Sequence, residues 1–128
     1  MHTKQHGISL AMKRYEDLLF IEIGMIGKLN HNDYQIFLPI LKKALKEAKN
    51  LKVNMLVDMT NFKGWSLRAG LDDMIFGLKY RNAFDKLAIV GNKKYEEIAI
   101  KIFAPLMSGK IKFFKNYEKA VKWLISIA

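Results

Sequence analysis

The side chains best able to do chemistry gather in one stretch of this 128-residue chain, Asp58-Met59-Thr60-Asn61-Phe62-Lys63-Gly64-Trp65-Ser66. Asp58 ends an apolar run, Gly64 permits a tight turn, Trp65 adds a large amphipathic ring, and Ser66 can open a helix. Ligands of open α/β sheets bind in this setting, beyond the carboxyl end of a strand and beside a helix N-terminus. Asp58, Thr60, Phe62, Lys63, Trp65, Ser66 and Arg68 are therefore the candidate ligand- or partner-binding residues. A purely structural use competes with this reading: Asp58 can bond loop amides, and Trp65 can cover the sheet edge.

Other chemistry lacks its residues. With no cysteine there is no disulfide, thiolate metal site or cysteine nucleophile. The three histidines, His2, His6 and His31, have no metal-ligand spacing. No glycine-rich phosphate loop follows a strand, and no G-x-S-x-G elbow occurs. Asp72 and Asp73 are neighbours on a predicted helix and point about 100° apart, poor geometry for a shared acid–base site. The expectation is a protein that is not an enzyme, with no catalytic residue, metal or cofactor.

The elements that must position the 58–66 stretch are readable from periodicity. Residues 7–14 alternate, with Ile8, Leu10 and Met12 on one face, and residues 18–26 continue as a second strand after a short turn, which predicts a hairpin. Asn30 and Asp33 mark the start of a helix running to about Lys49, with Ile36, Phe37, Ile40, Leu41, Ala44, Leu45 and Ala48 on its stripe. Pro39, inside that helix, predicts a kink or an irregular first turn. Residues 52–58 form a buried strand and Met59 to Trp65 a loop. Ser66 caps a second helix carrying Leu67, Leu71, Met74, Ile75 and Leu78 inward. A strand at 86–90 precedes a third helix, capped by Asn92, with Ile98, Ala99, Ile102, Phe103 and Leu106 inward. Pro105 and Ser108-Gly109 close it. Residues 110–114 make the last strand, and Asn116 caps a helix holding Tyr117, Ala120, Val121, Leu124 and Ile125. The order β-β-α-β-α-β-α-β-α predicts one α/β domain over residues 1–128, a five-stranded mixed sheet with four helices.

Composition agrees, with 51% hydrophobic and 27% charged residues, which excludes a disordered or fibrous chain. The net charge of +10 comes almost wholly from scattered lysines. Arginines number only three, Arg14, Arg68 and Arg81, where base readout and phosphate clamping favour arginine. No specific nucleic-acid partner is expected, and weak contact with an anionic membrane is compatible with the charge. No targeting signal or transmembrane segment is recognised, so a soluble, cytoplasmic protein is expected. A homodimer is compatible with all of this.

The stretch LVDMTNFKGWS, followed by FGLKYRNAFDKLAIVGNKKYEE and the closing KIKFFKNYEKAVKWL, resembles the SpoIIAA-like family of small bacterial proteins, related to STAS domains and more distantly to CRAL-TRIO lipid-binding domains. The resemblance spans nearly the whole chain and implies a SpoIIAA/STAS-like fold. In STAS anti-sigma-factor antagonists, a serine at the comparable helix start is phosphorylated by a partner kinase. Ser66 holds that place and Thr60 is the other loop hydroxyl, but the Asp-Ser-Ser-Gly-type motif of the antagonists is absent from DMTNFKGWS. A phosphate on Ser66 would meet free backbone N–H groups, with Arg68 and Lys63 close in sequence. The resulting expectation is a non-enzymatic regulatory or binding module acting through a protein partner. The alternative is a carrier of a small apolar or lipid-like ligand, with Met55, Met59, Phe62, Trp65, Met74, Ile75 and Phe76 lining a pocket.

Overall fold

Alternating residues build the first hairpin of the computed structural model, which describes residues 6–107 and 109–126. Strands β1 (Gly7–Tyr15) and β2 (Leu18–Leu29) pair antiparallel with Tyr15 opposite Leu18, so only Glu16 and Asp17 form the turn. Glu16 takes φ 52°, the left-handed conformation that two-residue hairpins demand. Then come α1 (His31–Glu47), β3 (Lys52–Asp58), β4 (Phe62–Trp65), α2 (Leu67–Lys79) and β5 (Lys86–Val90). The chain continues through α3 (Lys94–Phe103), a 3₁₀ turn (Ala104–Leu106), β6 (Lys110–Phe114) and α4 (Tyr117–Ile125). Strand order is β1-β2-β3-β5-β6, with β4 attached to the far end of β2. Every pairing except the hairpin is parallel, because a helix intervenes between β2 and β3, β3 and β5, and β5 and β6. Strands β1 and β6 are the two edges.

The central strands are apolar on both faces, as parallel strands covered twice must be. Val53, Met55 and Val57 of β3 join Phe37, Leu41 and Leu45 of α1 in the larger core. Leu56, between them in sequence, turns to the other face and meets Ala88, Val90, Ala120 and Leu124 beneath α4. Burying each large side chain of this kind contributes about 1.5–3 kcal/mol. Asn54 is the polar exception on that second face, 5% exposed. Its amide donates to the Leu124 carbonyl at 2.6 Å and accepts from the Lys86 N–H at 3.1 Å, tying α4 to the start of β5.

The α/β architecture with four helices is the expected one, and the differences are instructive. The presumed loop 59–65 contains a sixth strand, β4, because Phe62 and Trp65 seek burial and the end of β2 offers free backbone from Gly27 to Leu29. Helix α1 runs continuously through Pro39; Gln35, whose carbonyl loses its helical partner there, is exposed. Ile36 and Ile40, placed on the inward stripe by periodicity, face out, the first 63% exposed, whereas Tyr34 is buried. Helix α3 is capped at Lys93 rather than Asn92. Its predicted inward residues Ile98 and Leu106 are exposed, as are Tyr117 and Ile125 of α4. Ser108, assigned to the end of the third helix, and His2 lie outside the described residues.

The largest departure is α2. Leu67, Leu71, Met74, Ile75 and Leu78 are all exposed, Leu67 to 98%, and Ala69 alone is buried. An apolar stripe records the need for cover without stating what supplies it. Here the helix stands off the sheet and leaves a space.

Candidate functional site

The loop after β3 is organised by its own side chains. Asp58 Oδ1 accepts from the Thr60 N–H at 3.0 Å and from the Thr60 hydroxyl at 2.6 Å, a local turn that commits both residues to the backbone. Gly64 has φ 116°, which a side chain would strain, and so allows β4 to turn into α2. Ser66 Oγ accepts from the Ala69 N–H at 3.2 Å and caps α2. Lys63 and Arg68 are exposed. Phe62 is buried in the core, with the Trp65 ring edge-on at 4.6 Å between centroids. Of the seven sequence candidates, Trp65 alone borders the cavity between α2, α3 and the sheet.

That cavity has a volume of about 400 Å³ and lies between α2, α3 and the sheet. Leu87 and Ile89 of β5 and Ile111 of β6 form its floor, Met74 and Leu78 line the α2 side, and Ala99 and Ile100 line the α3 side. The size falls in the range of small-molecule sites, about 300–1,000 Å³, and the lining is almost wholly apolar. Of the residues assigned to a pocket from sequence, Met59, Trp65 and Met74 reach it, while Met55 lies in the core and Phe76 stacks on Tyr80.

Three acidic side chains near α2 and α3 have unequal roles. Asp72 and Asp73 diverge, as adjacent helical residues do. Asp72 pairs with His31 Nδ1 at 2.5 Å, and Asp73 accepts from the Tyr34 hydroxyl at 3.0 Å. Tyr34 in turn accepts from Trp65 Nε1 at 2.6 Å, so a chain of bonds runs from β4 through α1 to α2. Burial pushes the Asp73 carboxyl up to about 6, and the Tyr34 bond holds it from rising further. Burial, then the nearby Asp73, pushes the Tyr34 hydroxyl far above its ordinary value, so it remains a donor. Glu96, 4% exposed, also lines the cavity. Its Oε1 accepts from the Lys93 N–H at 3.1 Å, while its Oε2 has no hydrogen-bond partner among the described residues.

Sequence reasoning missed Tyr34 and Glu96. Glu96 stands three residues after the cap of α3, the spacing of a capping box, which signals a helix start and nothing about a ligand. Among the described residues, no group of three or more His, Asp or Glu side chains is placed to hold a metal ion, and no helix is long and apolar enough to cross a membrane. Other hollows have different characters. One of about 390 Å³ lies between Met12, Phe20 and α4, where the Tyr117 hydroxyl donates to Glu22. Another, at the end of α1, is ringed by Lys42, Lys43, Lys46 and Lys49.

Comparison with known proteins places this architecture. No curated protein matches the chain. A solved structure from Shewanella loihica PV-4, an uncharacterised protein of the DUF3478 family with a SpoIIAA-like fold, is 33% identical. The similarity covers 97% of this chain and 98% of that one, with a TM-score of 0.80. The SpoIIAA-like family model matches residues 20–125, from the second strand to the end of the last helix. The chain belongs to the SpoIIAA-like family.

Proposed function

We propose that this SpoIIAA-like chain is a non-enzymatic binding module whose ligand is a small apolar or amphipathic molecule held between α2 and α3. The observation that carries the reading is the cavity of about 400 Å³, roofed by a helix that buries only Ala69. Of the five exposed large apolar residues of this helix, Met74 and Leu78 line the cavity, and a ligand there would supply the contacts they lack. The loop hydroxyls support binding over catalysis, since Thr60 bonds Asp58 and Ser66 caps α2. A regulatory role through a protein partner is the second reading, favoured by the outward Leu67, Leu71 and Ile75.

A cavity-filling variant tests the first reading. Gly77 lines the cavity, and a Cβ there would meet no atom within 4 Å, so Gly77→Phe places a ring in the space while keeping α2. Replacing a helical glycine also recovers part of its penalty, about 1 kcal/mol relative to alanine. Calorimetric titration with decanol should show one site in the wild type and none in Gly77→Phe. Equal binding by both proteins, or none by either, would refute the ligand reading.

A further inference from the structure

In the wall of that cavity one polar atom is unaccounted for. Glu96 is almost fully buried, its Oε1 is used at the start of α3, and its Oε2 accepts nothing among the described residues. Buried carboxyl oxygens left without a donor are destabilising, and native proteins keep few of them. Gly91 leaves room for the capping oxygen of this carboxyl: a Cβ there would come within 2.3 Å of Glu96 Oε1. Neighbouring cations are turned elsewhere. Lys93 Nζ donates to the Phe62 carbonyl at 2.7 Å and Asn92 Oδ1 at 3.5 Å. Arg81, exposed and itself part of the lining, donates through Nη1 to the Leu78 carbonyl at 3.0 Å. The second carboxyl in the lining, Asp73, already accepts from Tyr34. The charged groups of the lining are thus two carboxyls and Arg81, and most of the rest is hydrocarbon.

We infer that the ligand is an amphipathic amine, its ammonium paired with the Glu96 carboxyl, whose covered Oε2 turns from the wall to meet it, and its apolar tail lying along Met74, Leu78, Ile89 and Ile100. This rests on reading the cavity as a ligand site, and it assigns the head group. An ammonium carries three donors and no acceptor, which matches the unpartnered Glu96 oxygen, while the one cation of the lining, Arg81, is held to the Leu78 carbonyl. The match is opposed to the chain as a whole: at a net charge of +10, unspecific attraction would favour an anion. Selectivity for a cation would therefore come from the site itself.

Three probes of one tail length separate the possibilities: decylamine, decanol and decanoate, each titrated below its micellar concentration at neutral pH. Decylamine should bind the wild type at least about tenfold more tightly than decanol, the size of one charge-assisted bond to a buried acceptor, with decanoate weakest. Glu96→Gln should remove that preference and leave decanol within about twofold. Decanoate binding most tightly would assign the head group to Arg81 and overturn the inference. So would equal affinity for amine and alcohol, or an amine preference that survives Glu96→Gln. In those cases decanol binding abolished by Gly77→Phe would leave the cavity reading standing, whereas no binding of any probe would end both. If Glu96→Gln fails to fold, the order of affinities in the wild type decides.

Discussion

Tyr34→Phe is the most informative single change, because it deletes one oxygen and little else. The ring is 1% exposed and meets Phe37 edge-on at 6.5 Å, contacts that phenylalanine keeps. Two bonds are lost, the one given to Asp73 and the one received from Trp65. Above the value of about 6 to which burial raises it, Asp73 is ionised, and losing its charge-assisted bond costs about 1.5–3 kcal/mol. The neutral Trp65 bond adds about 1 kcal/mol, for roughly 2.5–4 in total near pH 7.5. Near pH 5 Asp73 is mostly protonated, both bonds are neutral, and the loss shrinks to about 2 kcal/mol. The sign of the wild-type pH dependence follows from the same group. Its folded value lies above the ordinary 3.8, so the folded chain holds a proton that the unfolded chain has released. Asp73 therefore adds stability as pH falls through about 6, fully by 3.8, and that stability is lost again as pH rises. The difference between 3.8 and about 6 corresponds to at most about 3 kcal/mol, reduced by the contact Asp73 keeps with solvent. Tyr34→Phe removes the bond that restrains the carboxyl and should steepen this dependence. Urea unfolding followed by circular dichroism at both pH values measures all of it. A loss below about 1 kcal/mol near pH 7.5, or one equal at both pH values, would refute the reasoning.

Asn54→Ala should destabilise by about 2–3 kcal/mol, because the Leu124 carbonyl and Lys86 N–H both lose a buried partner; a loss under about 1 kcal/mol in thermal or urea unfolding would mean water replaces it. Ser66→Ala should cost about 1 kcal/mol through loss of the α2 cap, while Ser66→Asp, which can still cap, should unfold at nearly the wild-type midpoint. Should Ser66→Asp prove the less stable of the two, the capping account would be wrong.

Strand and helix periods carried most of the architecture: the ranges 52–58, 86–90 and 110–114 match the strands residue for residue. Short-range rules were weaker where long-range geometry decides. Phe62–Trp65 is too short and too glycine-dependent to announce itself as a strand, and it forms because β2 extends past the hairpin to Leu29. The loop 58–66 was legible as a place where strand, turn and helix meet, and Trp65 does border the cavity. The rest of the polar site was not legible. Tyr34 reads as one aromatic on α1 and Glu96 as a helix-start residue, and only the fold sets Glu96 in the cavity wall and Tyr34 behind Trp65 and Asp73, which also line it. The stripe on α2 was legible as apolar, but periodicity is silent on whether a helix rests on its neighbours or spans a gap.

The two outer strands give the lysine excess a use inside the architecture. A parallel sheet with open rims invites a neighbouring molecule to add a strand, the route by which folded proteins polymerise. Here β6 sets Lys110 and Lys112 on its exposed positions, and β1 carries Lys13 and Arg14. A copy docking on either rim would bring like charges to about 5 Å across the new ladder, a repulsion that grows with every chain added. Basic side chains on both rims thus oppose growth of the sheet by addition of further strands.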